Sequence, residues 1–218
     1  MLSVFGLTFR KAIEWATNPE LGNADIVSMS FGFAQEPYVE GIPVISNAIH
    51  KAIFNRHGHV LFFAATANEG ANQSEMFPAR HPNVIPIRAT NHLGSFQNFN
   101  PAQESSEPYM FGTLGTDVPG AGLSTHDGEV RQTGVSMATP IAAGIAAMIL
   151  LYARSIYAQN DQSLDVAKLG TMAGMRSVLR KLSTKVTDRH YYIYPHDFFL
   201  KMKDSERISL LIEALRVA

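Results

Sequence analysis

Cysteine is absent from the 218-residue chain, which excludes a disulfide framework and a thiolate zinc site. Charged residues are also few, at 17%, and they nearly cancel to a net charge of −1. A chain without a basic excess has no electrostatic footprint for nucleic acid or an anionic membrane surface, so we expect neither as a partner. Hydrophobic residues make up 46% of the chain, which is enough to build a sizeable core.

Long apolar runs are lacking as well. The longest, from Ile141 to Tyr152, is too short to span a bilayer, and we expect no transmembrane segment. Near the N-terminus the positive pair Arg10 and Lys11 follows an apolar stretch instead of preceding it, which is the reverse of a signal peptide. We therefore expect an intracellular protein, and we interpret this first segment as a helix that ends near Asn18.

The first half of the chain alternates helical spacing with short apolar runs. Residues 24–30, 60–65 and 84–88 are predicted to be strands, the first two buried and the third at an edge or a bend because it contains Pro86. A helical pattern at residues 44–53 separates the first two. This order predicts a right-handed βαβ unit in a mostly parallel sheet, in which functional sites lie at the carboxyl ends of strands.

The second half is predicted to hold a loop-rich region, a long helix and a tail. Residues 91–135 contain many Gly, Ser, Asn and Pro, with short strands indicated at 116–120 and 129–132. The helix from Ser136 to Tyr157 is apolar on all sides in its first half, which is typical of a buried helix. A helix, an aromatic strand and a final helix follow at 172–182, 190–194 and 205–216. We divide the chain into a main body, 1–158, and a C-terminal helical segment, 159–218, that completes the domain.

Ser136 stands at the predicted start of the buried helix, in the segment Gly-Val-Ser-Met-Ala-Thr-Pro that ends at Pro140. Free backbone N–H groups at a helix start favour negative charge, as a nucleophile that creates an oxyanion requires. Serine is equally common there as a cap, and the residues alone leave both readings open. Asn68 follows the second predicted strand. It too has a purely structural interpretation, because Asn and Gly favour turns at the end of a strand.

Five segments, in order across residues 24 to 144, resemble the subtilase family of serine proteases. The serine segment is similar to the family's Gly-Thr-Ser-Met-Ala-Ser/Thr-Pro, and residues 63–70 resemble its strand ending in Ala-Gly-Asn-Glu-Gly. Residues 24–32 resemble a strand ending in Asn-Met-Ser-Leu-Gly, residues 77–85 resemble Tyr-Pro-Ala-x-x-Pro-x-Val-Ile, and residues 117–120 resemble Val-x-Ala-Pro-Gly. Five matches in order are far more specific than any one of them.

The resemblance implies a three-layer α/β subtilisin-like fold with a mostly parallel sheet, here without its N-terminal part. It implies a serine endopeptidase that acts on a peptide or protein substrate and needs no cofactor. By the same resemblance Ser136 attacks the carbonyl, while the Asn68 amide and the Ser136 N–H hold the oxyanion. An extended peptide would pair with Ser30, Phe31 and Gly32, beside Ala67. No metal site is predicted.

The family's Asp and His signatures do not occur in this sequence. A serine hydroxyl needs a base, and the base needs an orienting partner. His57 and His59 run directly into the strand that ends at Asn68, so we interpret them as surface residues, and the other six histidines, His126 among them, lie at no family position for the base. We therefore expect the chain to be inactive alone, with a missing N-terminal segment of the same domain as a partner. The alternatives are a peptide- or partner-binding protein that does not cleave, and a weak esterase that uses a non-family histidine.

Four positions near these motifs affect the expectation. Ala67 stands where the family has Gly, Val135 where it has Thr, and Ile141 where it has His. A methyl group at Ala67 is expected to crowd the cleft or strain the turn, and Val135 removes a hydroxyl near the oxyanion. Glu69 follows Asn68 at the rim of the primary specificity pocket, where it either favours a basic substrate side chain or is simply an exposed turn residue.

Overall fold

The computed structural model describes residues 2–102, 108–122, 128–158 and 164–218, with the side chains of residues 2–4 left out. Helices and strands of the main sheet alternate as predicted only as far as residue 65; in the described residues beyond it, four more strands follow by residue 132, and three helices then follow one another between residues 135 and 182. In chain order the elements are α1 (Leu2–Thr17), β1 (Ile26–Met29), β2 (Tyr38–Val39), β3 (Ile42–Pro43), α2 (Val44–Asn55), β4 (Leu61–Ala65), β5 (Ile85–Thr90), β6 (Met110–Leu114), β7 (Val118–Ala121), β8 (Glu129–Gln132), α3 (Val135–Ala158), α4 (Val166–Leu169), α5 (Met172–Leu182), β9 (Ser183–Lys185), β10 (His190–Ile193), α6 (His196–Leu200) and α7 (Asp204–Arg216).

The main sheet is mostly parallel, in the order β1-β4-β5-β6-β10-β9. The first five strands run parallel, and β9 is antiparallel to β10. Two small antiparallel pairs, β2 with β3 and β7 with β8, lie outside this sheet. The predicted α/β class with a mostly parallel sheet is confirmed.

Helices cover both faces of the sheet, which gives three layers. The strand β4 is buried along its whole length and contributes alternate side chains to the two sides. Phe62 and Ala64 pack in the core beneath α1 and α2, whereas Leu61, Phe63 and Ala65 pack in the core beneath α3, α5 and α7. The carboxyl end of β4 thus emerges from the middle of the molecule, where it can carry a site residue.

Of the two alternatives predicted for the strand that contains Pro86, an edge position or a bend, the edge position is wrong. The strand β5 lies in the sheet interior, between β4 and β6, and all six of its residues are buried. Pro86 is opposite Ala64 of β4, and the pairing with β6 begins one residue later, where Ile87 is opposite Phe111. The proline is tolerated because it precedes the part of the ladder that needs its N–H.

The prediction that the first strand is buried is also wrong for most of its length. The strand β1 lies at one edge of the sheet, and its burial falls from Met29 to the half-buried Ile26 and Val27 and the exposed Ser28. An edge strand has a neighbour on one side only, so it exposes more of its length than a central strand.

The strand β6 was missed in the region interpreted as loop. It is short, and Gly112 interrupts its apolar pattern. A Cβ at Gly112 would come within 2.8 Å of the Phe96 ring and 2.9 Å of Thr90, so the glycine makes room for an aromatic ring against the strand. In the sequence alone, a glycine that packing requires has the same appearance as a glycine in a turn.

The helix α3 is long and apolar enough to cross a membrane by length and composition, which the uninterrupted run alone did not suggest. Half of its most apolar stretch is buried inside the protein, as in the core helix of a globular domain. The opposite face of α3 is exposed to solvent, and Leu151 on that face is 70% exposed.

The C-terminal segment joins the same sheet, because β10 pairs with β6 and β9 pairs with β10. The predicted boundary between 158 and 159 falls at the edge of residues 159–163, which lie outside the described residues.

Candidate active site

The turn after β4 places Asn68 at the carboxyl edge of the sheet. Asn68 is exposed, whereas Ala67 before it is buried. The Asn68 side-chain oxygen Oδ1 accepts a hydrogen bond of 2.9 Å from the backbone N–H of Val135, the first residue of α3. The structure therefore brings Asn68 directly against the start of the helix that carries Ser136.

This contact fixes the orientation of the amide. A backbone N–H only donates, so the side-chain atom that faces it must be the acceptor Oδ1. The other end of the amide, Nδ2, is then left as a donor. A fixed, neutral N–H donor is the group that stabilises an oxyanion as its charge develops.

Three more contacts hold the first turn of α3. The Gly134 N–H donates to the Gly115 carbonyl at 2.8 Å, and the Thr139 hydroxyl donates to the Val135 carbonyl at 2.9 Å. The Ser30 hydroxyl donates to the Ser136 carbonyl at 3.1 Å. The backbone N–H of Ser136 belongs to this first turn, where donors have no acceptor within the helix.

The predicted substrate edge lies at the end of β1. Ser30 and Gly32 are exposed, and Ser30 contacts the Ser136 residue as described. The Phe31 ring stacks on the Phe9 ring of α1, with 3.8 Å between the ring centroids. Its side chain therefore lies on the face of the sheet that α1 covers. A Cβ at Gly32 would meet the Met76 side chain at 2.7 Å, so the backbone here runs close against Met76.

Ala67 and Glu69 flank Asn68 in the turn after β4. Ala67 is 7% exposed, so a peptide would meet chiefly its backbone. The Glu69 carboxylate accepts a hydrogen bond of 2.9 Å from the Asn68 N–H, so it is tied to its own turn while remaining exposed.

No histidine is brought to Ser136 among the residues that the structure describes, and within those ranges the Ser136 hydroxyl makes no hydrogen bond. His57 and His59 precede β4, whereas Asn68 follows it, so they lie at the opposite end of that strand. His126 lies outside the described residues. His50, His81, His190 and His196 make side-chain contacts elsewhere, for example His81 against His50 and Phe77.

Within the described ranges, no cluster of three or more His, Asp or Glu side chains could hold a metal ion. A cavity of about 680 Å³ is lined by Asp25, His59 and Arg154. Asp25 and His59 precede β1 and β4, so this cavity lies at the amino ends of the strands, away from Ser136 and Asn68.

Two contributions to the site were not found from the sequence. Gly115 receives the Gly134 N–H, and a Cβ there would come within 2.9 Å of the Gly134 carbonyl and 2.6 Å of Ala89. The presence of a glycine at position 115 is the available signal in the sequence, but this position lies in the region that is predicted to be loop. The Ser30 side-chain contact joins residues 106 positions apart and leaves no local signal.

Comparison with known proteins gives one family. The family model described as "Subtilase family" matches residues 6–190. Among curated proteins, the subtilisin-like protease het-Q2 of Podospora anserina is 23% identical over 84% of this chain and 50% of its own length. The thermostable alkaline protease of Halalkalibacterium halodurans is 33% identical over 64% of this chain and 34% of its own length. The chain thus spans half or less of the length of these two relatives.

A solved structure agrees over nearly the whole chain. The prenylagaramide maturation protease PagA superposes with a TM-score of 0.65 and 26% identity over 96% of this chain and 68% of that one. The PatG macrocyclase in complex with peptide superposes with a TM-score of 0.64 at 22% identity, which bears on the fold alone. The family match, the α/β sheet and these likenesses lead to one conclusion: the chain belongs to the subtilase family.

Proposed function

We propose that this chain supplies the nucleophile, the oxyanion donor and the substrate edge of a serine endopeptidase, and that it cleaves peptides only when joined by a segment bearing the Asp and the His. Ser136 would attack the peptide carbonyl. The Asn68 Nδ2 and the Ser136 N–H would donate to the oxyanion that forms. The base would take the Ser136 proton and return it to the leaving amine.

The observation that carries the proposal is the hydrogen bond between Asn68 Oδ1 and the Val135 N–H. A side-chain amide whose donor has no partner among the described residues thus lies beside the first turn of α3, where helix geometry leaves the Ser136 N–H without an acceptor inside the helix. Two donors that face the Ser136 hydroxyl would supply the oxyanion stabilisation that acyl transfer needs.

The outer side of β1 and the neighbouring surface of α3 support a place for the second segment. In the described chain no strand pairs with the outer side of β1, and the adjoining face of α3 exposes Met148 and Leu151. Parallel strands of this kind are normally covered on both sides. A segment that adds a strand at β1 would bring its own residues to the same carboxyl edge as Ser136 and Asn68.

An extended peptide is the substrate that the edge suits. The backbone at Ser30 and Gly32 is exposed beyond the end of β1, and main-chain pairing with such an edge recognises extended peptides with little regard to sequence.

A chimera tests the proposal. The Asp- and His-bearing region of the Halalkalibacterium halodurans alkaline protease, fused ahead of this chain, should hydrolyse a fluorogenic peptide and react with a fluorophosphonate probe. The Ser136→Ala chimera is the matched control and should do neither. A chimera that unfolds cooperatively, binds peptide and yet shows neither reaction would overturn the proposal.

The absence of a hydrogen bond to the Ser136 hydroxyl in the described residues favours a second candidate, peptide binding without cleavage. Comparing the unfused chain with the chimera separates the two. Both candidates predict that it binds an extended peptide in a fluorescence-polarisation titration, but only the first predicts that adding the Asp and His yields turnover.

A further inference from the structure

The Ser30 side chain makes a contact that the proposed chemistry does not use. Ser30 is exposed, one residue beyond the end of β1, and its hydroxyl donates to the Ser136 carbonyl at 3.1 Å. Its role in the proposed function rests on its backbone, so the hydroxyl requires a separate explanation.

The explanation lies in Pro140. In an α-helix the carbonyl of residue i accepts from the N–H of residue i+4, and the residue four after Ser136 is Pro140, which has no N–H. Pro140 is the sixth residue of α3, past the first turn in which a proline leaves the helical ladder intact. The Ser136 carbonyl therefore lacks its helical donor, and the Ser30 hydroxyl occupies that vacant acceptor.

Two of the side chains that hold this turn come from residues that follow distant strands, and the groups they bind lie on either side of the Ser136 α-carbon. Asn68 binds the N–H of the peptide unit between Gly134 and Val135, and Ser30 binds the carbonyl of the peptide unit between Ser136 and Met137. We propose that Ser30 is a positioning residue for Ser136, whose hydroxyl replaces the donor that Pro140 removes and fixes the nucleophile's backbone relative to Asn68. This inference rests on the proposed function for its catalytic meaning, but its geometry is testable without catalysis.

The primary test is a double-mutant cycle in the chain as it stands, followed by urea unfolding. Ser30→Ala removes the donor, whereas Pro140→Ala restores a backbone N–H for the Ser136 carbonyl. We expect Ser30→Ala to lower the folding equilibrium constant about fivefold, as loss of one hydrogen bond does, and by less than twofold when Pro140→Ala is also present. Equal losses in both backgrounds would overturn the inference.

A spectroscopic signature separates positioning from general destabilisation. The Met137 amide nitrogen shares a peptide unit with the Ser136 carbonyl, so its NMR shift should move in Ser30→Ala, return in Ser30→Ala/Pro140→Ala and stay near the original value in Ser30→Thr, which keeps the hydroxyl. Ser28→Ala is the matched control on the same strand, because Ser28 is also exposed and makes no described hydrogen bond to α3. If the Met137 shift in Ser30→Ala is the same as in the original chain, the inference is contradicted.

Activity in the chimera gives the third readout. Ser30→Ala should lower kcat about tenfold and leave KM within about twofold, because it disturbs the nucleophile and leaves the backbone edge intact. Adding Pro140→Ala should recover most of that loss. If the chimera is inert, the proposed function fails, while the stability cycle and the Met137 shift still decide whether Ser30 holds the Ser136 backbone.

Discussion

The Asn68 Oδ1 and the Val135 nitrogen lie 2.9 Å apart although 67 positions separate the two residues, and this bond joins the end of β4 to the start of α3. It uses the acceptor of the amide, while the donor has no hydrogen-bond partner among the described residues, so the two halves of one side chain have separable tasks. Substitutions at Asn68 can therefore distinguish structure from chemistry.

Asn68→Asp keeps an acceptor for the Val135 N–H but removes the donor, whereas Asn68→Ala removes both. We expect Asn68→Ala to lower the free energy of unfolding by about 1 kcal/mol, similar to loss of a helix N-terminal acceptor, and Asn68→Asp to leave it nearly unchanged. In the chimera both should lower kcat by roughly a hundred- to a thousandfold. An Asp variant with near-original turnover would show that Nδ2 is not the oxyanion donor.

Gly115→Ala should disturb the turn that carries the nucleophile. Its Cβ would be 2.6 Å from the Ala89 Cβ and 2.9 Å from the Gly134 carbonyl, and neither can move without shifting β5 or the turn. We expect the free energy of unfolding to fall by about 1–3 kcal/mol. The matched control is Gly144→Ala, where nothing lies within 4 Å and the helix should gain up to about 1 kcal/mol. Urea titrations measure both, and loss of stability in the control would contradict this reading of α3.

The ion pair of Arg88 with Glu75 is buried, with each residue 1% exposed. Burial lowers the pKa of the Arg88 guanidinium and Glu75 opposes that effect, so the charge depends on its partner. Glu75→Gln should lower the free energy of unfolding by about 3–5 kcal/mol because it leaves a buried charge uncompensated. Glu75→Gln/Arg88→Met should regain a large part of that loss. If the double variant is less stable than the single one, the pair is not the dominant interaction there.

His81 should make stability depend on pH. Burial, and secondarily the neighbouring His50, lowers the pKa of His81 from 6.5 to about 4. Between these values the unfolded chain binds the proton more readily than the folded protein, so stability falls as pH drops from about 6.5 to 4 and is fully present above 6.5. We expect this one residue to account for about 2–3 kcal/mol of the decline. His81→Gln should flatten the profile measured by urea unfolding at each pH, and an unchanged slope would mean that other groups cause it.

The sequence predicts best those elements whose own pattern of apolar residues determines which of their side chains are buried. The helix at Met172–Leu182 and the long helix from Val135 have the bounds that their patterns indicate to within a residue or two, and β4 is the uninterrupted apolar run that a central strand requires. The predictions are wrong where contacts with a distant segment of the chain determine the structure of an element. Pro86 is compatible with an interior strand only because of where the pairing with β6 starts, and Gly112 is a strand residue only because the Phe96 ring packs on it.

The candidate site follows the same division. Asn68 and Ser136 were singled out because each ends or begins an element in a family-like segment, and the structure places their elements together. Gly115 and the Ser30 hydroxyl were not recognised, because the first acts through a backbone acceptor and the second through a vacancy that Pro140 creates 110 positions further along the chain. Such contacts exist only once the sheet has brought distant segments together.

The bare flank of β1 has a consequence for the purified chain in solution. The strand is four residues long and uncharged, and in the described part of the chain its outer N–H and C=O groups have no strand partner. It carries none of the lysines or prolines with which natural edge strands discourage pairing between molecules. Self-association should therefore grow with protein concentration, and dilution, rather than added salt, should reverse it.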